Sequence, residues 1–297
     1  MWKSEVHKFL QDSQIAFEIN HSLSIFEVLY LPDFQLFLHL IDIREFSSNI
    51  IPITYFQDLS DKVNAQNQRI IHLWEDVWIT KQLLVESRIL AMTGLCKRVN
   101  GRHCFVSKIE KQEADNFLNI NHLQGAVKAK YKYGLFLKVQ YAYKYLGIKS
   151  ETDILVAVAT FSGGRTMNEP ARYGNRSFEL LRFASLKNHV IVGGMDKLLK
   201  YFEKEYQPDE IMSYADRDWS NGNSYMKLGF TKMNVTPPQR LGLNTISNSR
   251  LKTSEEDDDN ILEVCNSGNI KIVKFIKKSS SSKLEEEDFW KKFKMNG

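Results

Sequence analysis

"SYADRDWSNGNSYMKLGF", residues 213–230, is the stretch on which the reading of this chain turns. Ser213, Tyr214 and Ala215 read as the end of a strand, with Asp216, Arg217, Asp218 and Trp219 crowding its exit. Asn221-Gly222 then makes a tight turn, and Tyr225 stands one helical turn before a Gly229-Phe230 stop. Working backwards, "EIMSYAD" is preceded by the helix "MDKLLKYFEKEY", a glycine turn at Gly193-Gly194 and the strand "SFELLRFAS". Strand, glycine turn, helix, strand is a βαβ pattern and predicts a parallel strand pair.

A glycine turn that opens a helix presents backbone N–H groups to an anion, with the helix dipole behind them. The stretch 190–197, "VIVGGMDK", has that form, although tight strand–helix packing asks for the same glycines. The whole order of elements resembles the Gcn5-related N-acetyltransferases (GNAT). The resemblance covers roughly 103–236 and is most specific at 213–230. It implies a strand that splays from its neighbour, and a turn, Val192, Gly193, Gly194, Met195, Asp196 and Lys197, wrapped around the pyrophosphate of acetyl-CoA or another acyl-CoA. It also implies that Tyr225, in Tyr-x-x-x-Gly-Phe, protonates the departing thiolate. The turn departs from the family at Val190, Met195 and Asp196.

Transfer to an amine needs a base for its proton and an acid for the leaving group. Glu179 on "SFELLRFAS" and Asp216 are the candidate bases, and Tyr225 is the acid. Each has an ordinary structural account beside the catalytic one: an ion pair with Arg182, a turn cap, and a buried ring. "EADNFLNINHLQG" resembles the first helix of acyltransferase-like domains in phage DNA-modification proteins, which adds His122 in the loop as a substrate contact or a loop hydrogen bond.

In the first part, "IIHLWEDVWITKQLLVESRI" resembles the strand, Glu-Asp-x-Trp turn and helix of restriction-endonuclease-like homing enzymes of the very-short-patch-repair type. Asp61-Lys62 falls where that family has an Asp-Lys pair. The family holds a divalent metal on strand carboxylates, which hard cations require. Here the Glu expected seven residues after Pro32 is His39, and Val28 and Leu29 replace the Asp. A one-residue slip on a strand reverses the face of a side chain, so Glu27, Asp33 and Asp42 are no direct substitutes. The expectation is a degenerate nuclease scaffold with no metal site. A working Mg-dependent endonuclease using those carboxylates is the alternative.

From Asn116 to Ser150 there is no Asp or Glu. "KAKYKYG" alternates lysine with tyrosine, so Lys128, Lys130 and Lys132 would neutralise phosphate while Tyr131 and Tyr133 stack on bases of DNA. An edge strand with inward tyrosines explains the same pattern. A non-catalytic DNA-binding protein is therefore a third reading.

The 297 residues, 43% hydrophobic and 26% charged, with net charge +4, suit a two-domain globular protein. The most apolar run is too short for a bilayer, and three cysteines without metal spacing predict reduced thiols and a cytoplasmic location. The fold class expected is α/β (α+β). A nuclease-like domain over 1–96 precedes a GNAT-like mixed-sheet domain over 103–277. A polar stretch is expected around Asp61-Lys62, a strand over 135–148, a flexible insert at 241–260, a closing hairpin around Ser267-Gly268-Asn269, and a linker and tail at 278–297.

Overall fold

The computed structural model describes residues 1–252 and 260–276. The first unit opens with α1 (Trp2–Asp12), whose Trp2, Val6 and Leu10 recur at helical spacing and are buried. It continues through β1 (Glu18–Asn20), β2 (Glu27–Leu31), β3 (Leu36–Ile41), α2 (Ile43–Ser47), α3 (Tyr55–Ala65), β4 (Arg69–Trp74) and α4 (Glu75–Met92). The sheet order is β1-β2-β3-β4, antiparallel except for the β3–β4 pair. Leu29, Leu31, Leu36, Leu38 and Leu40 face α1 and α4 in one core, while Val28 and Phe37 face α3 in another. Helix α3 was expected as a polar stretch. Its Phe56, Leu59, Ser60 and Val63 are buried at i, i+3, i+4, i+7, a signal diluted by the polar residues between them.

Two of the three acidic candidates in this unit are committed elsewhere, and the third faces solvent. Glu27 bonds His7 at 2.6 Å, Asp42 caps α2 and accepts from the Trp2 indole, and Asp33 is exposed in a 3-10 turn. His39 instead meets His72 across the parallel pair, Nδ1 to Nδ1 at 2.9 Å. Ser24 and Tyr55 extend this buried chain at one end and Ser60 at the other. Among the described residues no three His, Cys, Asp or Glu are grouped to hold a metal ion.

The second unit runs through β5 (Lys97–Asn100), β6 (Cys104–Lys108), α5 (Lys111–Asn121), β7 (Tyr131–Leu137), α6 (Ala142–Leu146), β8 (Ile154–Phe161), β9 (Arg165–Thr166) and β10 (Arg176–Ser185). It continues with β11 (His189–Val192), α7 (Gly194–Tyr206), β12 (Glu210–Asp216), α8 (Asn223–Met226), β13 (Thr231–Val235), β14 (Arg240–Asn244), β15 (Ser249–Lys252), β16 (Ile261–Cys265) and β17 (Asn269–Phe275). The main sheet is ordered β13-β17-β12-β10-β8-β7-β6, with β9 on β10. Along that path only β10 and β12 are parallel neighbours. Helix α7 covers one face through Leu198, Leu199 and Phe202, and α5 the other through Ala114, Phe117 and Leu118.

Three expectations are corrected here. Residues 138–146 were read as a continued strand, but a 3-10 turn and α6 follow Leu137, ended by Gly147 at φ 72°. Residues 241–260 were read as a flexible insert, yet β14 and β15 occupy 240–252 and pair in a small sheet with β16; residues 253–259 lie outside the described set. The expected hairpin around Ser267-Gly268-Asn269 is a crossing between sheets, since β16 joins the small sheet and β17 the large one. The small sheet packs Leu243, Val264 and Cys265 against Phe26, Phe56 and Trp74 of the first unit. The expected linker and tail, 278–297, lie outside the described residues.

Gly268 makes that crossing, at φ +81°, with an added Cβ falling 2.3 Å from Thr236 O. Gly268→Ala is expected to cost roughly 2–4 kcal/mol, from left-handed strain plus a backbone clash. A urea midpoint shifted down with unchanged slope checks it; an unshifted midpoint contradicts it. Cys96, Cys104 and Cys265 are buried and unpaired. No described helix is long and apolar enough to cross a membrane.

Candidate active site

The parallel strands β10 and β12 stay in register for only three pairs, Ser177–Glu210, Phe178–Ile211 and Glu179–Met212. Beyond them β10 bulges against β8 between Leu180 and Arg182, which turns the strand away from its neighbour. Ser213 Oγ donates to Leu180 O at 2.8 Å, where the ladder has already ended. The result is a gap between two strands that part, with their carboxyl ends open.

The side chains at this gap come from five elements of the chain. Asp216 ends β12, and Gln124 Nε2 of the loop after α5 donates to its Oδ2 at 3.1 Å. Arg182 reaches from β10 to Gly125 O at 3.1 Å, so the same loop is tied to both strands. Tyr225 on α8 is half-buried, its ring edge-on to Phe230 at 5.5 Å. Arg88 arrives from α4 of the first unit and lies 5.4 Å over the Trp219 ring. Its Nε is sealed from solvent with no hydrogen-bond partner among the described residues.

Burial sets the protonation here. It pushes Asp216 up to about 6, helped by the Asp218 carboxylate and opposed by Arg88 and Gln124. Burial also raises Glu179, against the pull of Arg165 and Arg182. The Tyr225 phenol is raised by burial, opposed by Ser213 and Arg88, which keeps it a proton donor at neutral pH. His122 is driven down to about 3 by burial and then by Arg182, Arg88 and Lys81. It stays neutral and accepts from the Gln124 backbone N–H at Nδ1, so its observed contact is a loop hydrogen bond.

At the diglycine corner Gly193 takes φ 74° and is exposed, Val192 is 40% exposed, and α7 has no side-chain cap. Met195 turns inward against the core, and Asp196 bonds Lys200 at 2.7 Å. One side of the corner is covered. Strand β5 pairs with β11, and a Cβ on Gly101 would meet Val192 O at 2.5 Å. Lys197 donates its ammonium to the carbonyls of Gly101 and Cys104, which fastens this cover and turns its charge away from an incoming phosphate.

The basic stretch divides. Tyr133 is 1% exposed, packs on Phe161, Tyr201 and Phe202, and donates its hydroxyl to Glu205 at 3.0 Å. Tyr131 packs on Phe178, Phe202 and Tyr206. Both rings are spent on α7, which corrects their reading as base-stacking residues. Lys128 and Lys130 are exposed and Lys132 is half-buried.

Arg88, Arg182, Ser213 and Gln124 were not singled out by sequence reasoning for chemistry. Arg182 and Gln124 stood beside chosen residues, whereas Arg88 sits well inside the helix α4 and carried no signal.

No protein-family model and no curated protein matches the chain. Among solved structures it is similar to a histone acetyltransferase-related acetyltransferase from Corynebacterium glutamicum. That match has 11% identity and a TM-score of 0.35, covering 60% of this chain and 99% of that one. It is also similar to the ribosomal-protein-S18-alanine N-acetyltransferase of Escherichia coli, at 12% identity and a TM-score of 0.33, covering 60% and 96%. A nourseothricin acetyltransferase gives 10% identity and 0.33, covering 58% and 98%. Scores this low leave any assignment to the chain's own geometry.

Proposed function

We propose that the chain is a GNAT-like N-acyltransferase that uses an acyl-CoA donor in the gap between β10 and β12. The observation that carries this reading is the parallel pair that parts after three residues with Asp216 and Tyr225 at its opening. A thioester chain laid in such a gap can take the hydrogen bonds that the strands no longer give each other. The donor's pyrophosphate would rest on the backbone at Gly193 and the uncapped start of α7, not on Lys197.

In the reaction the amine nitrogen of the acceptor attacks the thioester carbonyl carbon and gives up a proton to Asp216. The C–S bond then breaks, and the leaving thiolate takes the Tyr225 proton. Glu179 stands further down the same strand pair, flanked by Arg165 and Arg182, and is placed to adjust the charge of the gap.

Isothermal titration of the full chain with acetyl-CoA tests the reading, and no heat at millimolar donor removes it. Tyr225→Phe is expected to lower kcat about 100-fold while donor binding persists. A base near pH 6 must be ionised to accept a proton, so the rate should rise with pH through about 6. Asp216→Asn should flatten that limb; an unchanged limb would assign the base elsewhere.

A further inference from the structure

On the other side of β12's exit lies a second cleft, between the two units, with a volume of about 400 Å³. We propose that it binds a small phosphate monoester of nucleotide size. Asp216 bonds the α5 loop while the next residue, Arg217, reaches Asp61 of α3, so consecutive residues serve different clefts.

Arg217 is 5% exposed. Its Nη2 is used by Asp61, but Nη1 is sealed from solvent and has no hydrogen-bond partner among the described residues. A buried guanidinium nitrogen without an acceptor is costly, and the same side chain lines the cleft, where a charge-assisted contact to an oxyanion would relieve that cost. Arg69 lines the same space, and among the described residues its guanidinium is held by contacts of 3.5 Å to Phe34 O and Met92 O. Lys232 adds a third cation against the single Asp61 carboxylate, so the lining carries an excess of two positive charges. A phosphate monoester is close to dianionic at neutral pH and matches that excess.

The rest of the lining is uncharged and mostly carboxamide, including Asn64, Asn67, Asn221 and Asn223. Carboxamides offer donors and acceptors together, which suits the hydroxyls of a sugar or the edge of a base. Phe34 gives one aromatic wall. The lining is too polar for a lipid chain, and the volume holds one nucleotide unit.

The phosphate could belong to a nucleotide or to a sugar, and calorimetry on the full chain separates them. The probes are adenosine monophosphate, ribose 5-phosphate, adenosine and a ten-residue oligothymidylate. At least one monoester is expected to bind with Kd under about 1 mM, and adenosine at least about tenfold more weakly. Tighter binding of the nucleotide marks a base contact, and equal binding a sugar phosphate.

Lys232→Ala and Asn64→Ala, at the cleft edge, should weaken the monoester about tenfold with Tm unchanged. Arg217→Gln should abolish binding, and the edge variants carry the test if that chain does not fold. Adenosine binding as well as its monophosphate, or edge variants binding like the parent, would overturn the proposal. So would oligothymidylate binding without either monoester. Acetyl-CoA titration of the same edge variants keeps this cleft distinct from the transfer gap, because its affinity there should not change.

Discussion

Arg250→Ala is expected to destabilise the chain by about 3–5 kcal/mol, the cost of leaving a buried charge without its partner. Arg250 sits on β15 and makes a two-pronged contact with Asp76 of α4, at 2.7 and 2.9 Å. The Asp76 side chain is 3% exposed, so water cannot replace the guanidinium. The same guanidinium lies 5.0 Å over the Trp74 ring, which adds a cation–π contact. The contact also clamps the small sheet onto the first unit, which turns a local loss into detachment of three strands. Equilibrium urea unfolding followed by tryptophan fluorescence measures the loss. The double variant Asp76→Asn, Arg250→Ala should recover part of it, because the orphan charge is gone. A loss under about 1 kcal/mol would show that the pair is solvated after all.

Acid is expected to destabilise the protein through two buried histidines, starting at about pH 6.5. Burial holds His72 down to about 3 and His39 well below its ordinary value, with His72 itself the next cause for His39. An unfolded histidine takes its proton near pH 6.5. Between that pH and the folded values the unfolded chain therefore binds more protons than the folded one. Stability is fully present above about pH 6.5 and falls as the pH drops, by up to ~1.4 kcal/mol per pH unit for each histidine. For His72 alone the loss by pH 3 is about 5 kcal/mol. His122 adds to the slope from the second unit. Replacing His39 and His72 together by glutamine should remove two protons from the dependence of unfolding on pH. An unaltered slope in that variant would place the acid sensitivity on other groups.

Much of this could be read from residues in order, and the exceptions have physical causes. The parallel pair, α7 and α8 are legible because glycine turns and apolar spacing are local. The tyrosines of β7 were ambiguous, since alternation fixes two faces without saying which one meets a helix. The His39–His72 contact joins two strands whose register no local pattern reveals. Strands β14 to β16 are short and carry polar residues between few apolar ones, and their partner core lies in the other half of the chain. Arg88 was invisible for the same reason: its role depends on where α4 docks, not on its neighbours in sequence.

The return of 240–265 to the first unit bears on how the chain is made. A ribosome releases Phe56 and Trp74 long before it releases Leu243, Val264 and Cys265, which cover them. Until then the nascent amino-terminal half carries an open aromatic face, a target for chaperones and for neighbouring nascent chains. Cutting the gene near codon 100 would therefore produce two sticky fragments, whereas co-expressing both pieces lets the missing lid be supplied in trans.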